Sequence, residues 1–252
     1  MTRRDPRRDR SGVSGNLPSV LRFQMGPIPV SVHFSFLLIL YFTYKWTDDL
    51  QEAALLGLGI FCGVLLHETG HALTARRFHA AEVAISIFVL GGVTTYKPPT
   101  GLSASRRFLI AASGSALAVA GALPVLFAAR ADLITSQTLA VVTDGFIFAA
   151  LVWGILNWIP IRPLDGGQML TSALQIFWPE RGANIAKVIS VLFTGGIAIW
   201  LINSGQGLFA MYVVLIGFIG LRNDPGTQPR AERPEQQPQP EVENDPPPSF
   251  PL

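Results

Sequence analysis

His67, Glu68 and His71 stand in the run LLHETGHALTARRF as an H-E-x-x-H pattern. On a helix this spacing puts two imidazoles on one face, a turn apart, with the carboxylate beside them. Imidazoles so placed can hold one tetrahedral zinc ion, and the adjacent glutamate can take a proton from water activated there. Such a site needs a third ligand. One common zinc pattern supplies a further histidine six residues after the second, but that position is Arg77. His79 and Glu82 fall just past the apolar run; the first reads as a solvated residue and the second follows no glutamate-ligand motif. Cys62 lies around the helix from the histidines and reads as a packing residue. As the single cysteine it excludes an internal disulfide and a thiolate-rich zinc site.

The stretch that offers a candidate comes much later, as NWIPIRPLDGGQML, where Asn157, Pro160, Pro163, Asp165, Gly166 and Gly167 close a long apolar run. The prolines break a helix, and the glycines allow close backbone approach. An ordinary interfacial turn would use the same residue types. Unwound backbone at membrane depth, by contrast, is tolerated only inside protein or against a wet cavity, as a catalytic site provides. Both readings stand at this point.

The elements that must carry these residues are membrane helices. The 252 residues are 49% hydrophobic and 14% charged, far more apolar than a soluble domain. A span takes roughly 20 mostly apolar residues, and about six stretches qualify: 30–46, 53–74, 108–129, 138–160, 185–202 and 207–221. Three ionisable groups clustered inside one of them cost on the order of 2.5–3.5 kcal/mol each on insertion, so they call for a function. Counted from the outer end of the second span, His67 lies roughly 21 Å deep, past the middle of a core about 30 Å thick. Asp144, inside the fourth, reads as a near-surface polar residue.

Of the 19 Lys and Arg residues, all but Lys45 and Arg130 fall on one side of these spans. That asymmetry predicts both termini in the cytoplasm and makes the net charge of +2 a topology signal with no nucleic-acid partner. The opening MTRRDPRRDRSG reads as a solvated anchor; a removable signal peptide is not expected. The expected organisation is a basic cytoplasmic arm (1–25), a transmembrane domain (26–222) and a disordered Pro-rich cytoplasmic tail (223–252). No repeat or second folded domain is visible.

The paired motifs resemble the site-2 protease family of intramembrane zinc metalloproteases, with H-E-x-x-H on one span and N-x-x-P-x-x-x-L-D-G on another. Asn157, Pro160, Leu164, Asp165 and Gly166 match the second letter for letter. The resemblance implies one Zn²⁺ per chain on His67, His71 and Asp165, Glu68 as general base, and Asn157 assisting near the scissile peptide. It implies an all-α polytopic fold with a small membrane-associated β-ribbon between the second and third spans. The ribbon falls on AISIFVLGGVTTY, where Gly91 and Gly92 join Pro160, Gly166 and Gly167 as structural residues near the site; a plain interfacial loop is the alternative. GPIPVSVHFSF resembles the family's opening span, with His33 as a packing or hydrogen-bonding residue. In FLIAASGSALAVAGALP the chain has Gly114-Ser115 where the family often has Gly-Pro, a departure expected to touch local packing alone.

The implied function is hydrolysis of peptide bonds within or near transmembrane segments of membrane proteins, in the bilayer of a bacterial inner membrane, with the active site toward the cytoplasm. The implied partners are a substrate with a transmembrane segment and the lipid bilayer. Oligomeric state is not readable from the sequence. The rival readings are a catalytically silent protein that binds membrane segments, and a metal carrier using the same ligands.

Overall fold

The computed structural model describes residues 19–89 and 91–222. The rest of the expected arm and all of the expected tail lie outside the described residues. Two strands open the fold, β1 (Ser19–Met25) and β2 (Ile28–His33), turning at Gly26 with φ +59°. A single 3₁₀ turn, Phe34–Leu37, leads into α1 (Leu38–Thr47), and α2 (Leu50–Arg77) follows. The Asp49 carboxylate caps α2 by accepting from the Glu52 N–H at 2.7 Å.

Strands β3 (Ala81–Phe88) and β4 (Gly91–Lys97) come next, then α3 (Ala104–Arg130). Helix α4 (Gln137–Ile147) continues through a π-helical turn, Phe148–Trp153, into the short α5 (Gly154–Leu156). An irregular segment precedes α6 (Asp165–Phe177), and α7 (Gly182–Asn203) and α8 (Gly207–Arg222) complete the described chain.

The four strands form one sheet in the order β1-β2-β3-β4, with β2 and β3 parallel and the outer pairs antiparallel. Its inner face carries Ile28, Val30, Ile85 and Ile87, which form one core with Val64, Ala72 and Ala75 of α2 and Ile110 of α3. Alternation along β2 and β3 sends every second side chain to that core.

Helix α2 is the axis of the molecule. It packs against α3 and α4 through glycines. A Cβ at Gly59 would run into the Val142 carbonyl of α4, and one at Gly145 into the Leu56 carbonyl of α2; on the α3 side Gly70 meets the backbone of Ser113. Small residues allow this close approach where lipid offers no hydrophobic driving force between helices.

Among the described residues four helices are long and apolar enough to cross a membrane: Leu50–Arg77, Ala104–Arg130, Gln137–Leu156 and Gly182–Asn203. Gly207–Arg222 is apolar but shorter. The expected first span, 30–46, begins too early. Residues up to His33 are strand, because the alternation IPVSVH buries Ile28, Val30 and Val32 against the sheet core, and the helix proper has 10 residues. Residues 19–25, expected in the basic arm, are β1 and pair with β2. The expected fourth span runs past the end of α5, and α6 was not expected as an element.

Candidate metal and catalytic site

His67 and His71 project from successive turns of α2 and are buried, 4% and 7% exposed. Their Nε2 atoms lie 3.1 Å apart. The Asp165 Oδ2 oxygen stands 2.9 Å from the first and 3.2 Å from the second. Three lone-pair atoms thus converge from segments 94 and 98 residues apart in the chain. The His71 Nδ1 is 2.7 Å from the Ile110 carbonyl, which can only accept, so Nδ1 carries the proton and Nε2 presents a lone pair. The Nδ1 of His67 is buried with no hydrogen-bond partner among the described residues.

The irregular segment is folded to deliver Asp165. Asn157 ends α5, and its carbonyl accepts from the Gly166 N–H at 2.6 Å. A Cβ at Gly166 would collide with the Trp158 carbonyl, and one at Gly167 would come within 2.7 Å of the Arg162 nitrogen. Two glycines let the first turn of α6 lie against the segment that precedes it. Pro160 sits within that segment, and Ser190 of α7 braces it by accepting from the Arg162 N–H at 2.9 Å. Asp165 is the first residue of α6. The Asn157 side-chain nitrogen lies 3.3 Å from the His67 Nε2.

These donors fit zinc. Imidazole nitrogens and a carboxylate oxygen are its ordinary ligands, and at bond lengths of about 2.0–2.1 Å tetrahedral donors sit roughly 3.3 Å apart. The separations here are 2.9–3.2 Å. Space is kept by Gly114 of α3, where a Cβ would collide with the His71 Nε2 and stand 2.8 Å from that of His67. All three ligand atoms lie within 4.8 Å of one another, and no other such group occurs among the described residues.

Glu68 faces the sheet and is 5% exposed. Its carboxylate Oε2 accepts from the Thr94 hydroxyl at 2.7 Å, and Gly92 lies against its side chain. Gly91, with φ +122°, packs against the Trp153 indole of the π-helical turn; a Cβ there would stand 3.1 Å from Nε1. Further along β4, burial pushes the Tyr96 phenol above its ordinary pKa against the opposing pull of Arg107.

The structure therefore brings His67, His71 and Asp165 together, with Asn157 at the edge of the group and Glu68 beside it on the β4 side. Glu82 stands apart, 3.5 Å from Lys97 on the surface. Cys62, expected to pack, is instead exposed on the outer side of α2. Ser115, the departure from Gly-Pro, donates to the Gly154 carbonyl at 3.2 Å and so acts on helix packing. Sequence reasoning missed Thr94, and it treated Gly114 as a packing matter. GGVTTY carries one usable signal, since strand alternation puts Gly92 and Thr94 on one face.

This arrangement defines a helical protein of membrane-spanning character with a buried two-histidine, one-carboxylate metal group. No family model matches the chain. It is 28% identical over 199 residues to Rip3 of Mycobacterium tuberculosis, covering 71% of this chain and 49% of that protein. It is 25% identical over 206 residues to MJ0392 of Methanocaldococcus jannaschii, covering 79% and 56%. Both are named as zinc metalloproteases. The chain spans about half the length of the curated relatives it matches. Its fold is similar to that of the site-2 protease from Methanocaldococcus jannaschii, with a TM-score of 0.57, 20% identity, and coverage of 80% of this chain and 94% of that one. The chain is thus similar in sequence to proteins named as zinc metalloproteases and similar in fold to a site-2 protease.

Proposed function

We propose that this chain is an intramembrane zinc metalloendopeptidase that hydrolyses peptide bonds within or near transmembrane segments of membrane proteins. The observation that carries the reading is the convergence of His67, His71 and Asp165 on one point, beside a buried glutamate. Zinc at that point would supply Lewis-acid polarisation of the scissile carbonyl and lower the pKa of water. His67, His71 and Asp165 would hold the ion. Glu68 takes the proton of the attacking water and passes it to the leaving amine. Asn157 lies beside His67 and steadies the peptide there.

Strand β4 ends the sheet, with no neighbour on its outer side among the described residues. An unwound substrate pairing with that edge would run past Glu68 in extended form, which cleavage of a helical segment requires. In this reading the sheet lies against the membrane, about six helices cross it, and both termini are cytoplasmic. The membrane is a bacterial inner membrane with the site toward the cytoplasm. The substrate is a membrane-tethered regulator or a membrane remnant left by an earlier cut.

The test is a reporter carrying a transmembrane segment, incubated with purified, reconstituted protein and with Glu68→Gln. The wild type is expected to cleave. The variant is expected to keep its zinc and lose at least about a hundredfold in rate, the scale of a lost general base. Wild-type turnover by the variant removes Glu68 from the mechanism. A zinc-loaded wild type with no cleavage of any membrane reporter favours the silent binding protein.

A further inference from the structure

We infer that Thr94 is a positioning residue for Glu68, holding the carboxylate at the metal group by a hydrogen bond from β4. The inference rests on the reading of Glu68 as the general base. Thr94 Oγ1 lies 2.7 Å from Glu68 Oε2 and 3.0 Å from the main-chain carbonyl oxygen of the same residue. Its hydroxyl is therefore within hydrogen-bond reach of both the carboxylate and the main-chain carbonyl of the glutamate.

Gly92 and Thr94 lie two apart on one face of β4, opposite Ile87 and Ile85 of β3. Those two isoleucines are 0% and 1% exposed, so the seat is anchored in the best-packed part of the sheet. Gly92 is the other wall of the seat. A Cβ there would collide with the Glu68 side chain and stand 2.7 Å from its Oε1. Glu68 thus rests between a glycine that leaves it room and a threonine that fixes its direction. A β-branched threonine on a strand has few χ1 choices, which keeps its hydroxyl aimed.

The two acceptors also bear on the reaction cycle. A hydroxyl has one proton to donate and two lone pairs. While Glu68 is a carboxylate, the 2.7 Å contact is charge-assisted and takes the proton. When Glu68 holds the proton drawn from water, Thr94 can turn its own to the carbonyl and accept from the carboxylic acid. The side chain stays seated throughout the cycle, and no proton leaves Thr94. Valine, of nearly the same shape, can make neither bond, whereas serine can make both.

The measurement is kcat and KM for reporter cleavage, with zinc content and thermal midpoint, on reconstituted wild type, Thr94→Val, Thr94→Ser and Glu68→Gln. Thr94→Val is expected to lower kcat about 10- to 100-fold, the scale of a misplaced catalytic group, with KM within about threefold and zinc content unchanged. Thr94→Ser is expected to return kcat to within about threefold of wild type. Structures of the two variants should show Glu68 displaced in the valine protein and seated in the serine protein. Thr94→Val with wild-type kcat, while Glu68→Gln is inactive, overturns the inference and leaves the reading of Glu68 intact. An active Glu68→Gln overturns that reading itself. A valine variant that loses zinc or melts early, with no recovery by serine, makes Thr94 a packing residue and overturns the inference as well.

Discussion

A methyl group at position 114 would fill the space in front of both Nε2 atoms, because an alanine Cβ there collides with His71 and stands 2.8 Å from His67. Gly114 belongs to α3 and meets the far ends of imidazoles on α2, so to make room the rings would have to turn away from the position in which their Nε2 atoms converge. Forcing extra volume into such a place costs roughly 1–3 kcal/mol, which is about 5- to 150-fold in affinity. Gly114→Ala is therefore expected to weaken zinc binding by about that factor in competition with a chelator, and unchanged zinc affinity would contradict the cradle. His67, Glu68 and His71 are legible in the sequence because their chemistry resides in residue type at fixed spacing, whereas Asp165 is reached only through the resemblance of its motif to a known family. Thr94 and Gly114 are not legible, since what each does depends on which foreign side chain lies opposite it. A threonine in a strand and a glycine in an apolar helix are unremarked until the neighbour is known.

At the scale of elements, α2 is held by the glycines that bring backbones together. At Gly59 a Cβ meets the Val142 carbonyl and comes within 2.7 Å of the Phe146 nitrogen. Backbone atoms of a long helix cannot be repacked like a flexible side chain. Gly59→Leu is expected to destabilise by at least the roughly 1–3 kcal/mol of overpacking, seen as a lower melting midpoint in detergent; an unchanged midpoint would mean that α2 and α4 do not approach so closely. The long helices are readable from apolar length, which is a cumulative signal. Boundaries fare worse. The strand IPVSVH is as apolar as the helix after it, so a hydropathy count joins them, and only its alternation separates the two. Helix α6 is hidden for a different reason, since its glycine-rich start looks like a continuing turn; the helix packs against α3 and α7. The contact of the Arg107 guanidinium with Gln175, 2.9 Å long, is part of that packing.

At the scale of the whole molecule, sequence fixes which segments are apolar and which ends are basic, while the assembly of distant segments has to be seen. The proposed topology, argued from the charge asymmetry, predicts that reporters at the amino terminus and after Arg222 both register in the cytoplasm. A reporter exposed outside at either end would contradict that topology. In the proposed site α2 and the start of α6 share one metal ion. Nothing local requires Asp165 to approach His67, yet the two stand 2.9 Å apart across 98 residues of sequence. The most direct measurement is zinc stoichiometry on folded, membrane-inserted wild type, Asp165→Ala and Asp144→Ala, with reporter cleavage followed in parallel. About one zinc per chain is expected in the wild type and in Asp144→Ala, and a loss of both zinc and cleavage in Asp165→Ala, as for a three-ligand site reduced to two. An Asp165→Ala protein that keeps its full zinc and cuts normally would contradict the shared site.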